Sequence, residues 1–227
     1  KFSNIINDGR KKVLFGETGI FSLLLLIPIS IIINFFYNIN FIISSTIFIS
    51  GILFFLIFID IKKNLKKILI LIFSLLLFTP YFFIFTHHDD FFYYHLPYLN
   101  ILQSFKIVFG LVNLNNVLVY PQNLWFNIFS LFRLPIIDYN GIQVLNGVFT
   151  FLFILFCYEN YLNSKINRIK ILSLFNIVFI LTLFSRLKDH GAEIIPQLLM
   201  LMVLQLCFIL LFDSNIDKKK IIIKLSF

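Results

Sequence analysis

Six apolar runs, at residues 19–36, 41–61, 68–86, 142–158, 169–185 and 194–212, set the terms on which this chain folds. Each holds roughly 15–21 residues, close to the length an α-helix needs to cross the hydrocarbon core of a bilayer. Backbone in lipid must satisfy its own N–H and C=O groups, so helices are the form such runs take. Pro28 and Gly51 interrupt two of them, which membrane helices tolerate. The expected fold is therefore all-α: a polytopic integral membrane helical bundle, with 1–227 as a single transmembrane domain.

Composition agrees. The chain is 59% hydrophobic and 13% charged, with a mean hydropathy of +0.94. A soluble domain of this length cannot hide that much apolar side chain from water. The net charge of +8 comes from Lys and Arg placed in short stretches between the apolar runs. That is the pattern of cytoplasmic loops rather than of a nucleic-acid surface. The 32 Phe, with Ile, Asn and Lys also favoured and Ala192 the single alanine, reflect AT-rich codons and do not mark an aromatic binding surface. Cys157 and Cys207 both lie in apolar runs and read as small buried hydrophobes. The chain starts at Lys1 and ends as a new apolar run begins at Ile221, so it is expected to be a piece of a longer protein.

Positive charge sets an orientation. Arg10, Lys11 and Lys12 precede the first run. Lys62, Lys63, Lys66 and Lys67 fill the link between the second and third. Lys165, Arg168 and Lys170 stand at the fifth, and Lys218, Lys219 and Lys220 follow the sixth. All four clusters lie inside if each run crosses once. The connections 37–40, 87–141 and 186–193 then face out. The long outer loop, 87–141, contains 123–134, an apolar stretch with Trp125 that is too short to span. It reads as an amphipathic or re-entrant helix at the outer interface, a depth that Trp and Tyr favour. Tyr93, Tyr94, Tyr98 and Tyr120 fit the same belt.

Chemistry concentrates on that outer side. His87, His88, Asp89 and Asp90 follow the third run directly, where ionisable groups are costly to place without a use. A second polar group, Arg186, Lys188, Asp189, His190 and Glu193, lies between the last two runs. The plain alternative is that both are loops meeting water. As a site, a rim carboxylate has the chemistry to take a proton from an acceptor hydroxyl. Adjacent residues on an extended chain point to opposite sides, which favours Asp90 over Asp89. Arg133, Arg186 and Lys188 suit the phosphates of a lipid-linked donor. His95 suits proton transfer or phosphate binding, or an imidazole tied to backbone. Pro97 is placed to start a helix. A divalent cation stays open as a cofactor, but the His and Asp spacing matches no metal template and no metal ligand is assigned.

The stretch 89–116 resembles the first large outer loop of a bacterial family of multi-span membrane proteins. There an Asp is followed by Tyr-His four and five residues on, and by a Gly-Leu-x-Asn-Leu motif. Here these are Asp90, Tyr94, His95 and Gly110-Leu111-Val112-Asn113-Leu114. The later Gly191, Glu193 and Pro196 resemble a second segment of that family, with Glu in place of Asp. These proteins are similar to C-type glycosyltransferases. The resemblance implies an enzyme in the bacterial inner membrane with its active face periplasmic. It implies transfer of a sugar from a polyprenyl-phosphate donor to a glycan, lipid or protein acceptor, with Asp90 essential and Tyr94, His95 and Glu193 near the substrate. The competing readings are an outer-face polysaccharide polymerase or ligase, and a transporter of lipid-linked glycans. A transporter calls for ionisable groups in mid-span. The runs hold mainly Asn34, Asn176, Gln197 and Gln205, which helix–helix hydrogen bonding explains.

Overall fold

A computed structural model describes residues 14–58, 61–83, 91–113, 116, 123–133, 141–182, 193–213 and 218–225. Among these residues there is no strand. The helices are α1 (Phe15–Phe36), α2 (Phe41–Phe58), α3 (Ile61–Phe83), α4 (Leu96–Ser104), α5 (Asn123–Phe132), α6 (Gly141–Asn163), α7 (Asn167–Thr182), α8 (Ile194–Phe212) and α9 (Lys218–Leu225). A π-helical turn, Phe91–His95, leads into α4, and a 3₁₀ turn spans Leu111–Asn113.

Every apolar run of the sequence forms helix over its described residues. Among the described residues, three helical stretches are long and apolar enough to cross a membrane: Phe15–Phe36, Val144–Asn163 and Ile194–Phe212. The second and third runs give the shorter apolar segments Phe41–Ile57 and Ile68–Thr79, and the fifth gives the 16-residue α7. The sequence put Lys62, Lys63, Lys66 and Lys67 in a link. Instead they lie in the first turns of α3, because lysine is a good helix former and the helix starts upstream of its apolar stretch. Large apolar side chains are exposed along α1, α2, α3, α7 and α8, far more than a water-facing surface carries.

The chain divides into two compact units: Lys1–Leu24, Val148–Arg186 and Glu193–Phe227 form one, Leu25–Gly147 and Leu187–Ala192 the other. In the first unit the start of α1 runs antiparallel to the end of α6. Glycine makes the contact close: a Cβ on Gly16 would sit 2.2 Å from the Phe156 backbone nitrogen, and one on Gly19 would sit 2.5 Å from the Leu152 side chain. Small residues three positions apart share one helix face and let membrane helices approach in this way. The Glu159 carboxylate accepts from the backbone N–H groups of Phe15 (2.9 Å) and Gly16 (3.0 Å). These are donors that a helix N-terminus leaves without intrahelical partners, and a carboxylate there also suits the helix dipole.

Helices α7 and α8 pack together, also antiparallel. The Asn176 amide donates to Gln205 Oε1 at 3.1 Å, and Gln205 Nε2 donates to Ser173 Oγ at 2.8 Å. At one end of the pair the Arg168 guanidinium lies over the Phe212 ring, 4.8 Å from its centre. The hydrogen bonding expected of Asn176 and Gln205 is thus between helices. Asn34 departs from that expectation: its amide donates to the carbonyls of Tyr37 and Phe105, both in loops. Replacing Gln205 with Leu leaves Asn176 and Ser173 buried without this partner. The expected cost is about 0.5–2 kcal/mol, read as a lowered denaturation midpoint in micelles. The double change Asn176→Leu with Gln205→Leu is expected to recover part of it.

In the second unit α4 and α5 pack side by side, and α5 also packs on α2, with the Phe48 and Phe132 rings edge to face at 5.3 Å. The turn between α1 and α2 docks on the end of α4: Ile39 N–H donates to the Leu102 carbonyl at 2.9 Å and the Asn38 amide to the Gln103 carbonyl at 2.7 Å.

Candidate functional site

The seam between α4 and α5 carries the polar and aromatic groups that chemistry would use. Pro97 sits in the first turn of α4, where its missing N–H costs nothing, so a helix begins as the sequence indicated. The preceding residues wind as a π-helical turn, Phe91–His95, a geometry that recurs at functional sites. It buries Phe91 and His95. His95 is only 2% exposed. Its ring lies 4.3 Å from that of Tyr94, edge on, and 5.1 Å from that of Phe126. Tyr98 meets Phe126 edge to face at 5.5 Å, and burial pushes its hydroxyl above the ordinary tyrosine value, keeping it neutral.

At the other end of the seam stands Arg133. It follows the last residue of α5, with its backbone N–H donating to the Ser130 carbonyl at 3.3 Å. A cation there complements the helix dipole. Arg133 is 8% exposed, yet its Nη1 donates at 2.9 Å to Oδ1 of Asn100, a residue open to the surface. The guanidinium is thus nearly buried, with one nitrogen bonded to a surface side chain. The pairings 95 with 126 and 100 with 133 make α4 and α5 run in the same direction. His95 and Arg133 are then separated by about two turns of helix, roughly 10 Å along the seam.

The stretch 123–134 was expected to be an amphipathic helix on a surface or a re-entrant one. Residues Phe126 to Arg133 are all buried. A helix lying on an interface keeps one face outward, whereas one buried all round lies inside a larger body. Over these residues the helix is covered by protein.

Of the other candidates, Glu193 is exposed and stands at the N-cap of α8 without a side-chain capping bond. It belongs to the other compact unit from Tyr94, His95 and Arg133. Asp89, Asp90, Arg186 and Lys188 lie outside the described residues, as do His87, His88 and Tyr120. Among the described residues no group of three or more His, Cys, Asp or Glu is placed to hold a metal ion. Within the Gly-Leu-x-Asn-Leu stretch, Gly110 has φ +80°, a conformation only glycine adopts freely, and its carbonyl accepts from Asn113 N–H at 2.9 Å. The motif is a turn.

Sequence reading missed Asn100, the partner of Arg133, and Glu17. Glu17 is 1% exposed in the first turn of α1. An acid at that position is a helix-start signal, and it places the start of α1 ahead of the apolar run at Gly19. Glu159 was seen as lying at a span end, but no local pattern points to a cap for a helix more than 140 residues away.

Fold and seam define a helical chain whose apolar helices include three of membrane-spanning length, with a buried histidine and arginine on one helix pair. A family model described as "Domain of unknown function (DUF8201)" matches residues 2–227, and the chain belongs to that family. No curated protein and no solved structure matches the chain.

Proposed function

We propose that this chain is an integral membrane glycosyltransferase, which moves a sugar from a polyprenyl-phosphate donor to a glycan, lipid or protein acceptor. Its helices form a polytopic bundle in the bacterial inner membrane, with the 87–141 segment on the periplasmic side and α5 as a re-entrant helix. The observation that carries the reading is Arg133: a nearly buried guanidinium bonded to the exposed Asn100, on the same helix seam as a buried His95. A bidentate cation in a partly dry site suits a phosphate leaving group.

The topology has support of its own. The start of α1, the α6–α7 turn and the end of α8 share one end of their unit, joined by Glu159 to Phe15 and by Arg168 to Phe212. The basic stretches 10–12, 165–170 and 218–220 adjoin those points in sequence. In the other unit, the 37–40 turn is hydrogen-bonded to the end of α4, which pairs two of the three connections assigned to the outer face.

In the reaction, the Asp90 carboxylate takes the acceptor's hydroxyl proton and the acceptor oxygen bonds to the anomeric carbon. The bond from that carbon to the phosphate oxygen breaks, and polyprenyl phosphate leaves. Arg133 and Lys188 stabilise the phosphate charge, and Tyr94 and His95 line the substrate.

The test uses the full chain in proteoliposomes with a labelled polyprenyl-phosphate sugar and an envelope extract as acceptor. Label is expected to pass to the extract. Transfer only from a preassembled oligosaccharide-lipid identifies a polymerase or ligase instead. Movement of labelled lipid across the bilayer with no new bond identifies a transporter.

A further inference from the structure

The segment after α4, residues 105–109, reads Phe-Lys-Ile-Val-Phe, and all its side chains except the half-buried Ile107 are exposed. Phe105 is exposed and Phe109 is 82% exposed. Beside them stand Phe35, Phe36 and Tyr37, also exposed, at the end of the span-length helix α1, with the Phe35 and Phe109 rings 6.4 Å apart. An exposed apolar loop in water would normally leave its backbone to hydrogen-bond with solvent. This one does so only in part. Phe105 N–H donates to the Ile101 carbonyl at 2.8 Å, and Ile107 N–H to the Asn34 carbonyl at 2.9 Å. The Phe105 carbonyl accepts from the Asn34 amide. The carbonyls of Leu102 and Gln103, which the helix end leaves open, are taken by Ile39 N–H and the Asn38 amide. Gly110, at φ +80°, then turns the chain back behind Phe109.

Outward apolar side chains favour apolar surroundings, while backbone that is only partly bonded within the protein keeps irregular chain at a depth that water and headgroups still reach. We propose that the loop 105–109 is a wedge seated in the boundary between headgroups and acyl chains of the bilayer. Phe105 and Phe109 enter the acyl region. Lys106, exposed at the same place, lays its stem along the apolar surface and carries its ammonium to lipid phosphates. Phe35 and Phe36 extend the lipid-facing surface of α1 into the wedge, and Tyr37 sits at headgroup depth. The inference rests on the membrane part of the proposed function and is independent of the sugar chemistry. Asn34 and Asn38, which stitch the wedge to the α1–α2 turn, are its positioning residues.

A depth measurement tests it. Trp125 is the single tryptophan, so Trp125→Phe gives a silent background for Phe109→Trp and, as a reference on the exposed apolar face of α2, Ile52→Trp. Each is placed in phosphatidylcholine vesicles brominated either near the carbonyl end or deep in the chain. Phe109→Trp is expected to emit to the blue of tryptophan in water and to be quenched more by the shallow bromines than by the deep ones. Water-like emission, quenched by aqueous acrylamide alone while Ile52→Trp answers to lipid, overturns the wedge and leaves the membrane reading standing. Blue emission that neither bromolipid touches means that protein, such as a second copy, covers the loop, and also overturns it. If neither position is quenched by lipid, the membrane reading itself falls. Should Trp125→Phe not fold, a nitroxide on Phe109→Cys, relaxed by oxygen rather than by a water-soluble nickel chelate, reads the same depth.

Discussion

Gly16→Leu is expected to abolish stable folding of the unit formed by the start of α1 and the end of α6. A Cβ at this position would lie 2.2 Å from the backbone nitrogen of Phe156, 2.6 Å from its Cα and 2.6 Å from the Leu152 carbonyl oxygen. No rotamer change relieves such a contact, because the neighbours are backbone. The helices must separate, and the packing around Ile20, Leu23, Phe153 and Phe156, all buried, loosens with them. Overpacking alone costs about 1–3 kcal/mol and more where nothing can shift, against a total stability of about 5–15 kcal/mol for a typical protein. Separation also pulls Glu159 from the N–H groups of Phe15 and Gly16, so the cap is lost in the same step. Gly16→Ala meets the same wall and is expected to be damaging, whereas Gly19→Ala presses on the flexible end of Leu152 and is milder. Gly51→Ala is the control. Its Cβ meets nothing within 4 Å, and removing a mid-helix glycine stabilises by roughly 0.5–1 kcal/mol. Thermal melting in micelles ranks them: Gly51→Ala at or above wild type, Gly19→Ala below it, and Gly16→Leu without a cooperative transition. A wild-type melt for Gly16→Leu would refute the close helix crossing.

Hydrophobic run length exposed the helices because the physics is local: a long apolar stretch has one satisfactory backbone arrangement away from water. Pro97 at a helix start was legible for a local reason too, since proline restricts its own φ. Contacts made across the chain were not legible. Glu159 gives no local sign that it caps a helix 143 residues away, and Asn100 is an ordinary exposed residue until Arg133 is set against it. The 123–134 stretch was ambiguous because one sequence of Trp, Phe and Leu serves equally on a surface and inside a bundle. What decides is whether neighbours cover its second face, and a one-dimensional pattern does not hold that information. The lysines of α3 mislead in the other direction: charge ends an apolar run without ending a helix. The carboxylate pair and the Arg186–Lys188 stretch were singled out by residue type and lie outside the described residues, so their part in the site rests on chemistry and resemblance.

That chemistry yields the sharpest functional expectation. Asp90→Asn keeps size and hydrogen-bonding capacity but cannot accept a proton at neutral pH. A positioned general base contributes about 10²–10⁴-fold, so the variant is expected to lose at least about a hundredfold in kcat for sugar transfer, while inserting into membranes and melting like the wild type. Arg133→Gln separates binding from proton transfer. The seam in which Arg133 sits is built on Asn100 and the aromatic contacts of Phe126, and the charge is expected to act on the phosphate of the donor. Its removal should therefore raise the donor KM well above that of Asp90→Asn, and Arg133→Lys should restore only part, because a point charge replaces a bidentate fork. The acceptor KM should follow neither change at position 133. Full transfer by Asp90→Asn removes the general base from the mechanism. An unchanged donor KM in Arg133→Gln, with the fold intact by melting, removes the phosphate from Arg133 and with it the observation on which the glycosyltransferase reading stands.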